Sequence, residues 1–152
     1  MPLLTRSCLP ALICLAGTVL SSSASATLGG DEASIYADAQ ALSTIATRQP
    51  GIGYTRYDLP LGRGMLHEYA GPSGQVFAIT FGGGPAPRLD VLLGSYVDTY
   101  ASAVSHQATD HRSASVDTPT LKAALHGRPY AISGRVWLPG LTPTGVALET
   151  LP

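Results

Sequence analysis

The chain has 152 residues, 9 basic against 10 acidic side chains, a formal net charge of −1 and only 12% charged residues. That balance leaves no basic surface for a phosphate backbone, so nucleic acid is excluded as an expected partner. The length suits one domain with a modest core behind a leader.

The chain opens with Arg6 as its sole early charge, an apolar run over Cys8–Leu20, and then Ser21-Ser22-Ser23-Ala24-Ser25-Ala26. Charge, apolar core and a small-x-small ending are the three parts of a secretory leader, so 1–26 read as a cleavable signal peptide and the working protein as 27–152. A membrane anchor needs about 20 apolar residues, longer than this core. Neither cysteine suits lipidation: Ile13 precedes Cys14, and Arg6-Ser7 precede Cys8. Both cysteines leave with the leader, and part of the positive mean hydropathy leaves with them. The exported chain, periplasmic or extracellular, is therefore expected to have no disulfide, no thiol nucleophile, no cysteine metal site and no transmembrane segment.

Asp31 stands where it can cap a helix. Ile35, Ala39, Leu42 and Ile45 or Ala46 follow at helical spacing with Asp38 and Gln40 off the stripe, which predicts a helix over 32–47 ended by Pro50-Gly51. Runs at 53–59, 65–70 and 75–81, separated by 60–64 and 71–74, predict an antiparallel meander. Phe77, Ile79 and Phe81 are expected to share its core face. Gly82-Gly83-Gly84-Pro85-Ala86-Pro87 is expected to break the sheet. Leu89, Leu92, Leu93, Tyr96, Tyr100 and Val104 form one apolar stripe and predict a second helix over 88–104, with Gly94 as a close-packing position. Residues 106–115 read as a polar loop or a ragged strand. Runs at 116–118, 121–126 and 129–138 read as further strands, with Gly127-Arg128 as a hairpin turn. The proline-bearing tail reads as an extended segment with a short helical turn near 146–151. The expected architecture is α+β: an antiparallel sheet with two helices on one face, in the order α-βββ-α-βββ. The matched order of the halves hints at duplication, although no residue-level repeat accompanies it.

Several segments carry a family resemblance. They are Leu28-Gly29-Gly30-Asp31, Glu68-Tyr69 with Pro72-Ser73-Gly74-Gln75-Val76-Phe77-Ala78, Gly84-Pro85 with Leu89 and Leu92-Leu93-Gly94, and Gly134-Arg135-Val136-Trp137-Leu138-Pro139 with Gly145-Val146. In order and spacing the chain resembles DUF2844, an exported bacterial family of unknown function. It departs from that pattern at Arg88, where an acid is expected, and at Phe81, where tryptophan is expected. The resemblance implies an exported proteobacterial protein and supplies no reaction, ligand or catalytic residue.

The chemistry-bearing residues are few. His106, Asp110 and His111 are candidate metal ligands, but a spacing of five fits neither a helix face nor a strand face, and a solvated loop is the alternative. His67 alternates with Met65 and Tyr69, as a hydrogen-bonded structural histidine on a half-buried strand would. There is no Gly-x-Ser-x-Gly elbow; Gly71-Pro72-Ser73-Gly74 reads as a turn. Glu68 and Asp58 face one another across a predicted hairpin as a candidate carboxylate pair. The triple glycine lacks the Lys-Ser/Thr of a phosphate loop. In the last strand two registers stay open. In one, Arg135 and Trp137 project outward together as an interaction surface; in the other, Trp137 is core.

These features point to an exported non-enzymatic protein with no cofactor, binding a protein or cell-envelope partner through Arg135 and Trp137. The competing readings are a small periplasmic hydrolase or metal-dependent enzyme using His67, His106 and His111, and a carrier of an apolar ligand held between helices and sheet.

Overall fold

The computed structural model describes residues 27–105 and 113–151. The expected leader and the candidate ligands His106, Asp110 and His111 lie outside the described residues.

The fold is mixed α+β, dominated by one seven-stranded antiparallel sheet. Its strands are β1 (Thr47–Pro50), β2 (Thr55–Leu61), β3 (Gly64–Ala70), β4 (Val76–Gly84), β5 (Ser113–Asp117), β6 (Lys122–Arg128) and β7 (Ala131–Trp137). Their order across the sheet is β1-β2-β3-β4-β7-β6-β5. The halves are therefore unequal, with four strands before the central helices and three after, where three and three were expected.

Helix α1 runs over Glu32–Ala41, shorter than the expected 32–47. The Asp31 side chain accepts from the Ser34 backbone N–H at 3.1 Å, which satisfies one of the unpaired amides of the first turn. After Leu42 the chain turns at Ser43, in the left-handed region at φ 54°, and 47–50 become the fully exposed edge strand β1 instead of the last helical turn. Asp31→Ala should lower the stability by about 1 kcal/mol, measured by thermal unfolding, because it removes the side-chain cap and leaves the Ser34 amide only its bond to the Asp31 carbonyl at 3.0 Å.

Strand β4 continues through the triple glycine that was expected to end the sheet, with Gly84 still opposite Ile132 after an irregularity beyond Phe81. At its other end Tyr69 pairs with Ala78 but Ala70 with Val76, so Phe77 is the extra residue of a bulge. The bulge sends Phe77 away from Ile79 and Phe81, which share the main core, and into a second cluster with Tyr69 and Ala78. The strand is consequently buried on both faces and not only on the expected one.

The second predicted helix is divided into α2 (Leu89–Leu92), a 3-10 turn (Gly94–Tyr96) and α3 (Val97–Ser105). Gly94 takes φ 48°, a left-handed conformation that ends an α-helix, so its role is conformational. The β6–β7 turn sits two residues later than the expected Gly127-Arg128, at Pro129-Tyr130, with Arg128 paired to Ala131. The tail makes two 3-10 turns, Pro139–Leu141 and Leu148–Thr150, the second within the stretch where a helical turn was expected.

The main core cluster joins Ile35 and Ala39 of α1 and the Leu92-Leu93 pair to Tyr57, Leu59, Leu66, Ile79, Phe81, Val136, Ala123 and Val116 from six strands. In an antiparallel sheet alternate residues face opposite sides, so these positions define one face. The second cluster covers one end of the other face, where Leu151 of the tail is buried against Tyr69, Phe77 and Ala78. Among the described residues no helix is long and apolar enough to cross a membrane.

Candidate functional site

Register decides which side chains meet on the face opposite the main core. Asp58, His67, Thr80, Arg135 and Ala124 stand in one cross-strand row over β2, β3, β4, β7 and β6. Met65 and Gly82 stand in a neighbouring row, and so do Ser133 and His126. Gly82 lies close enough to Ser133 that an added Cβ would come within 3.0 Å of its hydroxyl. Without side chains at Gly82 and with only a methyl at Ala124, the middle of this face sinks into a depression of about 450 Å³, into which Leu151 of the tail projects at one end. Such a volume lies within the range of small-molecule sites, about 300–1,000 Å³.

The depression is cationic on one side and apolar on the other. Met65, Ala124 and Leu151 supply apolar surface; His67, His126, Thr80, Ser133 and Arg135 supply polar atoms. None of its lining residues is acidic. The acids that share this face are already engaged. Asp58 holds Arg56 at 2.7 Å and His67 Nδ1 at 2.6 Å, and Asp117 holds Lys122 at 2.8 Å. Burial pushes the Asp58 carboxyl up, but hydrogen bonds from Arg56 and His67 outweigh it and hold Asp58 below the usual carboxylate range. An ionised Asp58 only accepts, so His67 Nδ1 donates and the ring is held in one orientation. Arg135 has no such partner among the described residues. Its Nη2 donates to the Leu151 carbonyl oxygen at a long 3.5 Å, and its buried Nε has no hydrogen-bond acceptor.

The expected carboxylate pair of Asp58 and Glu68 does not form. Asp58 is opposite His67, and Glu68 is opposite Tyr57 and Ile79, so the two acids point to opposite faces. Glu68 instead enters the main core, 0% exposed, with neither carboxyl oxygen hydrogen-bonded. Its neighbour there is Asp38, which lies on the buried side of α1 and not off the stripe as the sequence suggested; Asp38 Oδ2 also lacks a partner. Burial raises the Asp38 pKa from 3.8 to about 7. Glu68 is raised well above its ordinary value, first by burial and then by the Asp38 charge. Both acids are closed from solvent, and neither lines the depression.

Strand β7 adopts the first of the two registers. Val136 and Gly134 are on the core side, and Arg135 and Trp137 are opposite Thr80 and Ala78 on the other face. Trp137 is half-buried there against the second cluster, so it lies beside the depression without lining it. Ser73 sits in the turn closed by the Gly74 amide donating to the Gly71 carbonyl at 2.9 Å. Among the described residues no three His, Cys, Asp or Glu side chains are grouped to hold a metal. Sequence reasoning missed His126, Ser133 and Thr80 as neighbours of Arg135, since only the pairing of β4 with β7 and of β7 with β6 brings them together.

Comparison with protein families resolves the kinship of the chain. The family model described as "Protein of unknown function (DUF2844)" matches residues 24–151. The chain belongs to the DUF2844 family. Searches of curated proteins and of solved structures return no match. Several of the segments that carried the resemblance have visible structural work in this DUF2844 protein. Leu28 is buried, Gly29 takes φ 86°, and the amides of Gly29 and Val76 bond the carbonyls of Val76 and Gly30, strapping the segment before α1 to β4.

Proposed function

We propose that this DUF2844 protein is an exported, non-enzymatic binding protein that holds a protein or cell-envelope partner on the open face of its sheet, around Arg135 and Trp137. The reading takes 1–26 as a cleaved leader, 27–152 as the single working domain and the helical elements as the cover of the opposite face. The observation that carries it is the pairing state of Arg135: among the described residues the strand acids on its face, Asp58 and Asp117, are engaged elsewhere, and its buried Nε has no acceptor. A buried unpaired donor is unfavourable by about 1–3 kcal/mol, which an incoming acceptor would recover. The enzymatic alternative would have to rest on the Asp58–His67 pair alone, because Glu68 faces the core.

Two measurements test this reading. Intact mass of the protein recovered from the envelope fraction should correspond to a chain starting at Thr27. A photo-crosslinker at Ser133 should capture a partner in intact cells, and Trp137→Ala should reduce that capture, while a crosslinker at Tyr36 on α1 should capture none. Equal capture from both positions would overturn the placement.

A further inference from the structure

We infer that the depression at Arg135 takes a small organic carboxylate carried on an apolar stem; this rests on the proposal that the open face is the binding face.

Charge comes first. The depression has one permanent cation, no acid in its lining and two imidazoles, His67 and His126, at its sides. Asp58 does not neutralise Arg135, because Arg56 and His67 already occupy it. A guanidinium presents its donors in a planar fork that matches a carboxylate, and such charge-assisted bonds are stronger than neutral ones. Arg135 has one weak bond, to the Leu151 carbonyl, and an Nε–H that is shut from solvent with no acceptor. A ligand carboxylate that displaces the Leu151 carbonyl from Nη2, with the guanidinium turning to present Nε, would complete the fork.

Shape and polarity decide the rest of the ligand. Met65, Ala124 and Leu151 give the depression an apolar wall beside the cation. An inorganic anion would leave that wall facing water. An apolar stem on the carboxylate covers it, and about 450 Å³ accommodates a stem of several carbons. A neutral ligand would leave the Arg135 Nε–H unpaired beneath it, which is the costlier arrangement.

The test uses the mature protein and three probes of matched size or charge: octanoate, octan-1-ol and inorganic phosphate. Binding is measured by titration calorimetry and located by backbone amide shifts at Ala124, Ser133 and Arg135. Octanoate should bind saturably and move those amides, with octan-1-ol and phosphate each weaker by roughly tenfold or more. Arg135→Gln should weaken octanoate roughly tenfold to a hundredfold while leaving octan-1-ol unchanged. Since Arg135 is partly buried, Met65→Glu provides a second variant; Met65 is 37% exposed and tolerates the charge without refolding the core. It should also weaken octanoate selectively. The inference is overturned if octanoate and octan-1-ol bind alike, if phosphate matches octanoate, if no probe binds, or if both variants keep the original affinity. Persisting capture from Ser133 in cells alongside any of those results would leave the open face as a binding face and remove only the ligand class; loss of capture as well would remove both.

Discussion

Asp38→Asn is expected to be more stable than the original protein at pH 8 and to lose the part of its pH dependence between about pH 4 and pH 7 that Asp38 contributes, with the Glu68 part remaining. In the folded chain Asp38 keeps its proton until about pH 7, whereas in the unfolded chain it releases it near 3.8. Between those values the folded state binds the extra proton, so stability falls as pH rises, and above about 7 the loss is complete and constant. At about 1.4 kcal/mol per unit, the shift amounts to about 4 kcal/mol at most. Asparagine removes the ionisation but keeps a buried amide, so the net gain is expected near 2 kcal/mol. Glu68→Gln should act in the same direction, because Glu68 is raised by burial and by the Asp38 charge. Asp58 works the other way: its pKa is lowered, so its contribution is present above the ordinary carboxylate range and lost only in stronger acid. Denaturant unfolding from pH 4 to pH 8 checks the window; a protein that gains stability across it would contradict the buried-acid account.

Gly134→Ala is expected to destabilise the fold by about 3 kcal/mol. A Cβ at Gly134 would lie 2.4 Å from Phe81 Cζ, 2.8 Å from its Cε1 and 2.9 Å from Leu125 Cγ. Phe81 is only 6% exposed, and its ring packs into the main core, so it cannot swing clear without moving its neighbours. The glycine is a notch for the ring, forced by the cross-strand pairing of Phe81 with Gly134. Phe81→Leu alone should cost about 1–2 kcal/mol through the void it leaves, and combined with Gly134→Ala it should recover part of the loss, because a smaller side chain vacates the notch. Additive losses in the double variant, read from denaturant midpoints, would show that the two positions do not share the space.

The strands of the meander and of the last hairpin were legible because their alternation is local, but the face of the last strand that enters the core was not, because Val136 and Trp137 are both apolar and only the pairing with β4 chooses between them. The division at Gly94 was not, because the apolar stripe from Leu89 to Val104 passes through it unbroken and only the glycine's left-handed backbone interrupts the helix. Asp38 was misread for a related reason. A polar residue at a helix face reads as exposed, and only the position of Glu68 on the core side of β3 reveals that two acids are buried together.

By itself the sequence determined the DUF2844 kinship of the chain and its α+β class. Those follow from composition, local periodicity and short motifs, which need no partner strand. The tertiary structure alone decided that Asp58 serves His67 and Arg56 while Glu68 is buried, and that Arg135 stands without an acidic partner among the described residues, beside a depression shared with His126, Ser133 and Thr80. Each of those relations depends on the register between strands far apart in sequence, and a shift of one residue would have sent every one of these side chains to the other face.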